Sequence, residues 1–295
     1  VRVIPPYLFQ NCSHVNSLVI ANGIDTISQY AFAGCSSITA VTIPASVDCI
    51  GQLAFNNCTN LATVNFNATN CSVYMDYNSQ YNRPFSNCNS ITTVNIGNSV
   101  QAIPPYLFYS TNITSLTIPT SVTNIGAYSF ANNTSLASLI FNATNCQHTS
   151  GSGYSGPFYG CTALSSVSFG NSVHIIPDYL FYNAITASAG SITLPSSLTH
   201  IGRYAFYGCT GISGALSIPN GVSKIKSYSF YGCSGLSSII IPNSVSVIDT
   251  MAFCNCSSVT ALTIGTAVDT IGISAFGNIN GLSTINYNAV NVRQC

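Results

Sequence analysis

Ile38-Thr39-Ala40-Val41-Thr42-Ile43-Pro44-Ala45-Ser46-Val47-Asp48-Cys49-Ile50-Gly51-Gln52-Leu53-Ala54-Phe55-Asn56-Asn57-Cys58 decides the fold, because the chain keeps returning to it. A second copy runs from Leu236 through Ile239, Ile241-Pro242, Val245 and Ile248 to Phe253 and Cys256. Phe recurs at 9, 32, 55, 85, 108, 130, 158, 181, 206, 230, 253 and 276, mostly 22 to 25 residues apart. A fixed period of this length marks a solenoid or another repeat array. Length alone suggests one or two domains. The repeat predicts one array over 1–295, without a linker, that starts and ends mid-repeat.

Elementary chemistry gives each turn its parts. Val41/Ile43, Val64/Phe66, Val94/Ile96, Leu116/Ile118, Ile239/Ile241 and Leu262/Ile264 alternate with small polar residues, as in a half-buried strand. A following Pro ends the strand, since it has no N–H for a ladder. The Ile-Gly-x-Tyr-Ala-Phe stretch reads as a short helical turn. Its Gly slot (51, 126, 202, 272) holds Pro5, Pro104, Pro177, Ser28 or Asp249 elsewhere, so positive φ is not required there. One turn cannot bury its own Phe, Leu and Ile. Stacking the turns at about 5 Å each gives an array about 55–60 Å long with one continuous core. Phe32, Phe55, Phe108, Phe130, Phe206, Phe230 and Phe253 are the expected column of that core, beside Cys35, Cys58, Cys209 and Cys233.

The pattern L-x-x-V-x-I-P-x-S-V-x-x-I-G-x-Y-A-F-x-x-C resembles the BspA-type leucine-rich repeat of surface-exposed bacterial and protist proteins. The resemblance spans essentially all 295 residues. It departs from the general leucine-rich pattern after the strand, where Pro-x-x-Val replaces the usual Asn/Cys turn. It implies a leucine-rich repeat solenoid of the α/β horseshoe class, mostly β, with a parallel strand and a short helical turn per repeat. It also implies an extracellular or cell-surface recognition module, adhesion-like and non-catalytic, that binds protein or glycan.

Composition narrows the function classes. Charged residues are 4% of the chain and net charge is zero, against roughly 25% charged in an ordinary domain. Six scattered cations form no basic stripe, so nucleic acid is excluded as a partner. The longest pure aliphatic run is Ile239-Ile240-Ile241, which spans no bilayer. High hydrophobicity with no net charge excludes disorder. Glu is absent, and the four His share no pattern with Asp or Ser, so no catalytic residue, metal or cofactor is expected. Gly151-Ser152-Gly153-Tyr154-Ser155-Gly156 matches a phosphate-loop spacing, but no long helix follows it. Nine N-x-S/T sequons are about what chance gives.

Thirteen Cys invite a disulfide or metal reading. Eight of them (12, 35, 58, 88, 161, 209, 233 and 256) stand three residues after the repeat Phe, where other turns carry Thr111, Asn133, Ala184 and Ile279. Ligand chemistry does not survive Ala or Ile, whereas a small buried slot does. A stray disulfide through Cys49, Cys254 or Cys295 is the competing reading. Zinc finds only Cys254-Asn255-Cys256, without a partner pair at ligand spacing.

Three surfaces are candidates for recognition. The outward strand residues, from Ser17/Val19 and Ala40/Thr42 to Thr284/Asn286, are small and uncharged, fit for hydroxyl contacts to a sugar or merely solubilising. Inserted loops 72–84 and 147–157 both follow Phe-Asn-Ala-Thr-Asn-Cys and rejoin at Pro-Phe. Tyr74, Asp76, Tyr77, Tyr81 and Arg83 in the first, with Tyr154 in the second, are the richest recognition chemistry in the chain, or else a tolerated insertion. Tyr109, Tyr159, Tyr182, Tyr207 and Tyr231 follow the repeat Phe directly, as an aromatic row that stacks on sugars or covers the turn beneath it. The alternative function is structural: a surface layer or filament whose copies associate head to tail through open solenoid ends and a charge-poor face.

Overall fold

The computed structural model describes residues 2–73, 83–146, 148–150, 156–290 and 292. The chain winds as a parallel β-solenoid. The Val-x-Ile segments form a sheet of six strands from Ala40–Ile43 and Thr63–Phe66 through Thr93–Ile96, Ser115–Ile118 and Ser138–Phe141 to Ser166–Phe169. A second sheet joins Gly214–Ser217, Leu236–Ile241, Ala261–Ile264 and Thr284–Tyr287. Equivalent residues sit in register, Val41 on Val64 on Val94 and Ile239 on Leu262, so inward side chains stack on like neighbours. The expected strands at Ser17/Val19 and Ser191/Thr193 do not form. Between the two sheets the Phe181-to-Phe206 spacing is 25 residues. There one bridge, Gly190 to Ile212, replaces the ladder, and the register shifts at Gly214/Ala215.

A second face carries short parallel strands such as Thr26–Ile27, Cys49–Ile50, Ile175–Ile176, His200–Ile201 and Lys224–Ile225. Both insertions leave from this face: Ser72–Val73 pairs with Cys49–Ile50, and His148–Ser150 with Asn124–Gly126.

The third face corrects the expected helical turn, because the described residues hold no helix. Tyr30 has φ 54°, and Tyr106, Tyr128, Tyr179, Tyr204 and Tyr228 have φ between 56° and 60°. Four residues on from these tyrosines, Gly34, Ser110, Asn132, Asn183, Gly208 and Gly232 are left-handed too. The hydrogen bonds explain the choice. Tyr30, Phe32 and Gly34 donate their N–H to Gln52, Ala54 and Asn56 of the next turn, at 2.7–3.0 Å. Ala31, Ala33 and Cys35 donate locally, three residues back. A helix would direct every N–H along its own axis and leave the next turn unbonded. A left-handed non-Gly residue costs about 1–3 kcal/mol, and the inter-turn bonds offset it.

The core is one cluster. The repeat Phe rings stack from Phe9 to Phe276 with centroids 5.0–5.9 Å apart. Phe32 is 2% exposed, and Phe55, Phe108, Phe130, Phe206, Phe230 and Phe253 are wholly buried. Phe66 meets the column edge-on at Phe108, 6.3 Å between centroids. The Gly slot is indeed outside the left-handed region, as expected, but Gly has its own reason there. A Cβ on Gly202 would fall on the backbone of Pro177 and Asp178 in the preceding turn.

Candidate recognition surface: a tyrosine strip ended by arginine

The left-handed face aims its Phe inward, while the residues two before and one after it lie nearer the surface, most of them half-buried. Both positions are often Tyr, and the result is a strip of two lanes. In one lane Tyr179, Tyr204 and Tyr228 stack at 4.8 and 4.7 Å; in the other, Tyr182, Tyr207 and Tyr231 stack at 4.8 and 4.7 Å. Tilted rungs at 5.6–5.9 Å tie Tyr179 to Tyr182, Tyr204 to Tyr207 and Tyr228 to Tyr231. Tyr159 stacks on Tyr182 at 6.2 Å and meets Tyr128 edge-on at 6.1 Å, so the strip continues to Tyr106 and Tyr109.

Arg83 stands where the first lane would hold its next Tyr. Its guanidinium lies 3.7 Å over the Tyr109 ring and 6.0 Å from that of Tyr106. Such a cation–π contact is worth about 0.5–2 kcal/mol. Its Nε is buried without a hydrogen-bond partner among the described residues. Asn132 Nδ2 donates to the Tyr109 hydroxyl at 2.6 Å, and Asn255 Nδ2 to that of Tyr231 at 2.7 Å. Burial raises the Tyr128 phenol, and the neighbouring Tyr106, Tyr159 and Tyr109 add to the shift.

Tyr159 is 36% exposed and Tyr182 only 7%, so the row after the Phe is not evenly open. Its rings pack face to face on one another, so their faces are largely closed to a sugar and their edges point outward. The sequence reading missed the other lane: Tyr106, Tyr128, Tyr179, Tyr204 and Tyr228. The signal was present in the repeated Tyr-x-Phe phrase, as in Tyr106-Leu107-Phe108, Tyr128-Ser129-Phe130 and Tyr204-Ala205-Phe206. Tyr74, Asp76, Tyr77, Tyr81 and Tyr154 lie outside the described residues.

The outward strand residues bond mainly to each other: Asn65 Nδ2 donates to Thr42 Oγ1 at 3.2 Å, and Asn95 Nδ2 to Asn65 Oδ1 at 2.8 Å. The thiols also form a ladder. Cys35, Cys58, Cys88, Cys161, Cys209, Cys233 and Cys256 each donate Sγ–H to the Phe carbonyl of the preceding turn, at 3.0–3.3 Å. Asn133 Nδ2 does the same to Phe108 at 2.8 Å. Cys254, one of the residues of the competing disulfide reading, is a buried thiol outside any disulfide, and Cys295 lies outside the described residues. Burial pushes Cys35 up to about 11, and Cys161, Cys209 and Cys256 to about 12. Among the described residues no group of three His, Cys or Asp could hold a metal ion.

The BspA type Leucine rich repeat region model matches in six copies, over 2–79, 81–188, 153–214 and 176–294. No curated protein matches the chain. A leucine rich cell surface protein from Faecalibacterium prausnitzii A2-165 is similar in structure: 26% identity, TM-score 0.50, covering 98% of this chain and 77% of that one. A leucine-rich repeat protein from Bacteroides ovatus is 23% identical at TM-score 0.49, covering 95% of this chain and 82% of that one. The leucine rich repeat protein of T. pallidum is 22% identical at TM-score 0.48, over 57% of this chain and 78% of that one. With the repeat, its register and the family model in agreement over nearly every turn, the chain belongs to the BspA-type leucine-rich repeat family.

Proposed function

We propose that the chain is a non-catalytic recognition module of a cell surface and that the tyrosine strip binds a protein partner. The observation that carries this is the unbroken run of rings from Arg83 and Tyr106 to Tyr231. Tyr and Arg dominate interface hot spots because they offer rigid amphipathic area and a fork of donors. The strip is pre-ordered by its own stacking, so little side-chain entropy is lost on binding. Ring faces that pack on one another favour a protein over a sugar, whose stacking needs an open face. Surface location is supported by the family and by the Faecalibacterium protein, which is described as a cell surface protein.

The test is a binding screen against extracellular-matrix and cell-surface proteins, repeated with the Tyr207→Ser/Tyr231→Ser double variant. Every binder surviving that change, with folding intact by circular dichroism, would remove the strip from the reading. A second reading is a structural layer or filament, by head-to-tail or face-to-face contact of copies. Zero net charge supports it, as do Ile140 and Ile240, 43% and 45% exposed on the strand faces. Sedimentation velocity across concentration and salt separates the two: a persistent monomer rejects assembly.

A further inference from the structure

The strand face is open where its two sheets fail to join. In regular turns the first inward strand residue stands nine positions after the repeat Phe, as in Phe55 to Val64 and Phe230 to Ile239. The distance is eleven from Phe181 to Ile192 and ten from Phe206 to Leu216. Gly190 and Gly214 lie within these longer stretches and are left-handed, at φ 68° and 77°, a backbone that Gly adopts without a Cβ clash. Extra residues at a strand entrance turn the strand aside and break its pairing. Ser191 to Leu194 keeps a strand's alternation, with Ile192 and Leu194 only 9% and 8% exposed. Yet the N–H groups of these four residues reach no backbone carbonyl among the described residues.

The next turn leaves matching groups unused. Ile218 donates its N–H to Ile240 of the following turn at 3.0 Å, in the register that sets Leu216 on Ile239. Alternate residues of a parallel strand face opposite neighbours. Ala215 and Ser217 therefore direct their N–H and C=O groups at the preceding turn, where Ser191 to Leu194 returns no bond. Between the two segments is a hollow of about 450 Å³, within the roughly 300–1,000 Å³ of a ligand site. Its lining includes Ile192, Leu194 and Pro219, then Ser191, Ser217 and Asn220, and neither a charge nor an aromatic ring.

That set of groups selects a backbone. A strand edge offers N–H and C=O together at every second residue, about 6.6–6.8 Å apart, and an extended peptide presents the same period in return. Such strand addition draws its affinity from main-chain hydrogen bonds and its selectivity from alternate side chains. A charged side chain would lose hydration here without a counter-ion, and a sugar finds no ring to stack on.

We propose that this hollow docks an extended, uncharged segment of a partner protein, which adds a strand along the Ala215–Ser217 edge. It lies on a different face from the tyrosine strip and does not depend on it.

The test titrates the whole chain with a blocked hexapeptide, acetyl-Thr-Ser-Leu-Thr-Ile-Pro-amide, a copy of 114–119 that supplies a strand of this same face. Calorimetry reads affinity, and amide hydrogen exchange reads the place. The expected result is binding with slower exchange at Ala215 and Ser217. The peptide N-methylated at Leu and Ile, the peptide with Asp for Leu, and neutral cellotetraose are expected not to bind. Ala215→Pro removes an N–H that faces only the hollow and should weaken binding by about tenfold, one hydrogen bond; Ser217→Pro should do the same. Thermal melts follow the folding of both variants, and the N-methylated peptide tests the parent chain without any substitution. Overturning results are no hexapeptide binding up to about 2 mM, equal affinity for the N-methylated or Asp peptide, or cellotetraose protecting the same amides. Unchanged affinity in a folded Ala215→Pro chain overturns the site too. Tyr231→Ser is expected to leave hexapeptide affinity unchanged, and a loss there would move the site to the strip.

Discussion

Phe130→Ala tests the stacked column at its middle. Phe130 is wholly buried, between Phe108 at 5.6 Å and Phe158 at 5.3 Å. A Phe buries about 150–250 Å², and at about 25 cal/mol per Å² most of the ring's share is about 3 kcal/mol. Two lost ring contacts add about 0.5–1.5 kcal/mol each. The neighbouring turns are fixed by backbone ladders, so the site cannot collapse to refill the space. These terms sum to about 4–6 kcal/mol, at the top of the roughly 3–5 kcal/mol range for Phe→Ala in a core. Phe9→Ala is the internal control: Phe9 is 42% exposed and stacks on one ring only, Phe32 at 5.4 Å, so its loss should be about 1–2 kcal/mol. The assay is equilibrium urea unfolding followed by Tyr fluorescence and far-ultraviolet circular dichroism together. A repeat array can split into separate cooperative units, and divergence of the two probes would report this. A loss below about 1 kcal/mol at Phe130, or one no larger than at Phe9, refutes the column as the source of stability.

Gly202→Ala should cost about 1–3 kcal/mol, although Gly202 is not left-handed, because the new Cβ meets the Pro177–Asp178 backbone; urea midpoints measure it. Asn57 has φ 57°, so Asn57→Gly should stay within about 0.5 kcal/mol of the parent and Asn57→Val should lose about 1–3 kcal/mol. Alkaline pH should unfold the chain, because the fold holds Cys161, Cys209 and Cys256 at about 12 against an ordinary thiol value of 9.0. The unfolded chain releases those protons first. Stability is therefore full below 9.0 and falls toward 12, by up to about 1.4 kcal/mol per pH unit for each thiol. Cys209→Ala should flatten that slope, and an unchanged slope in urea melts counts against buried thiols as its cause.

The strand periodicity, the Pro stops and the Phe column were legible because each repeats at nearly constant spacing and answers to burial, which composition records directly. The buried thiol slot was legible from its substitutes, Thr111, Asn133, Ala184 and Ile279. Its hydrogen bond to the preceding Phe carbonyl was not, since a donor and a volume look alike in sequence. The helical turn was misread. Tyr-Ala-Phe is acceptable helix chemistry, and the Asn/Gly alternation four residues after the left-handed Tyr was the only local sign of positive φ.

The sequence by itself determined the solenoid, its period, which side chains lie inside and the absence of ionic recognition over most of the surface. Those follow from the hydrophobic pattern, a property of each residue and its near neighbours. Tertiary structure decided the left-handed face, because only the carbonyls of the next turn make that backbone favourable. It also decided the two tyrosine lanes and the seat of Arg83 on Tyr109. These are contacts between residues some 22 to 30 positions apart, and their partners exist only once neighbouring turns are stacked in register.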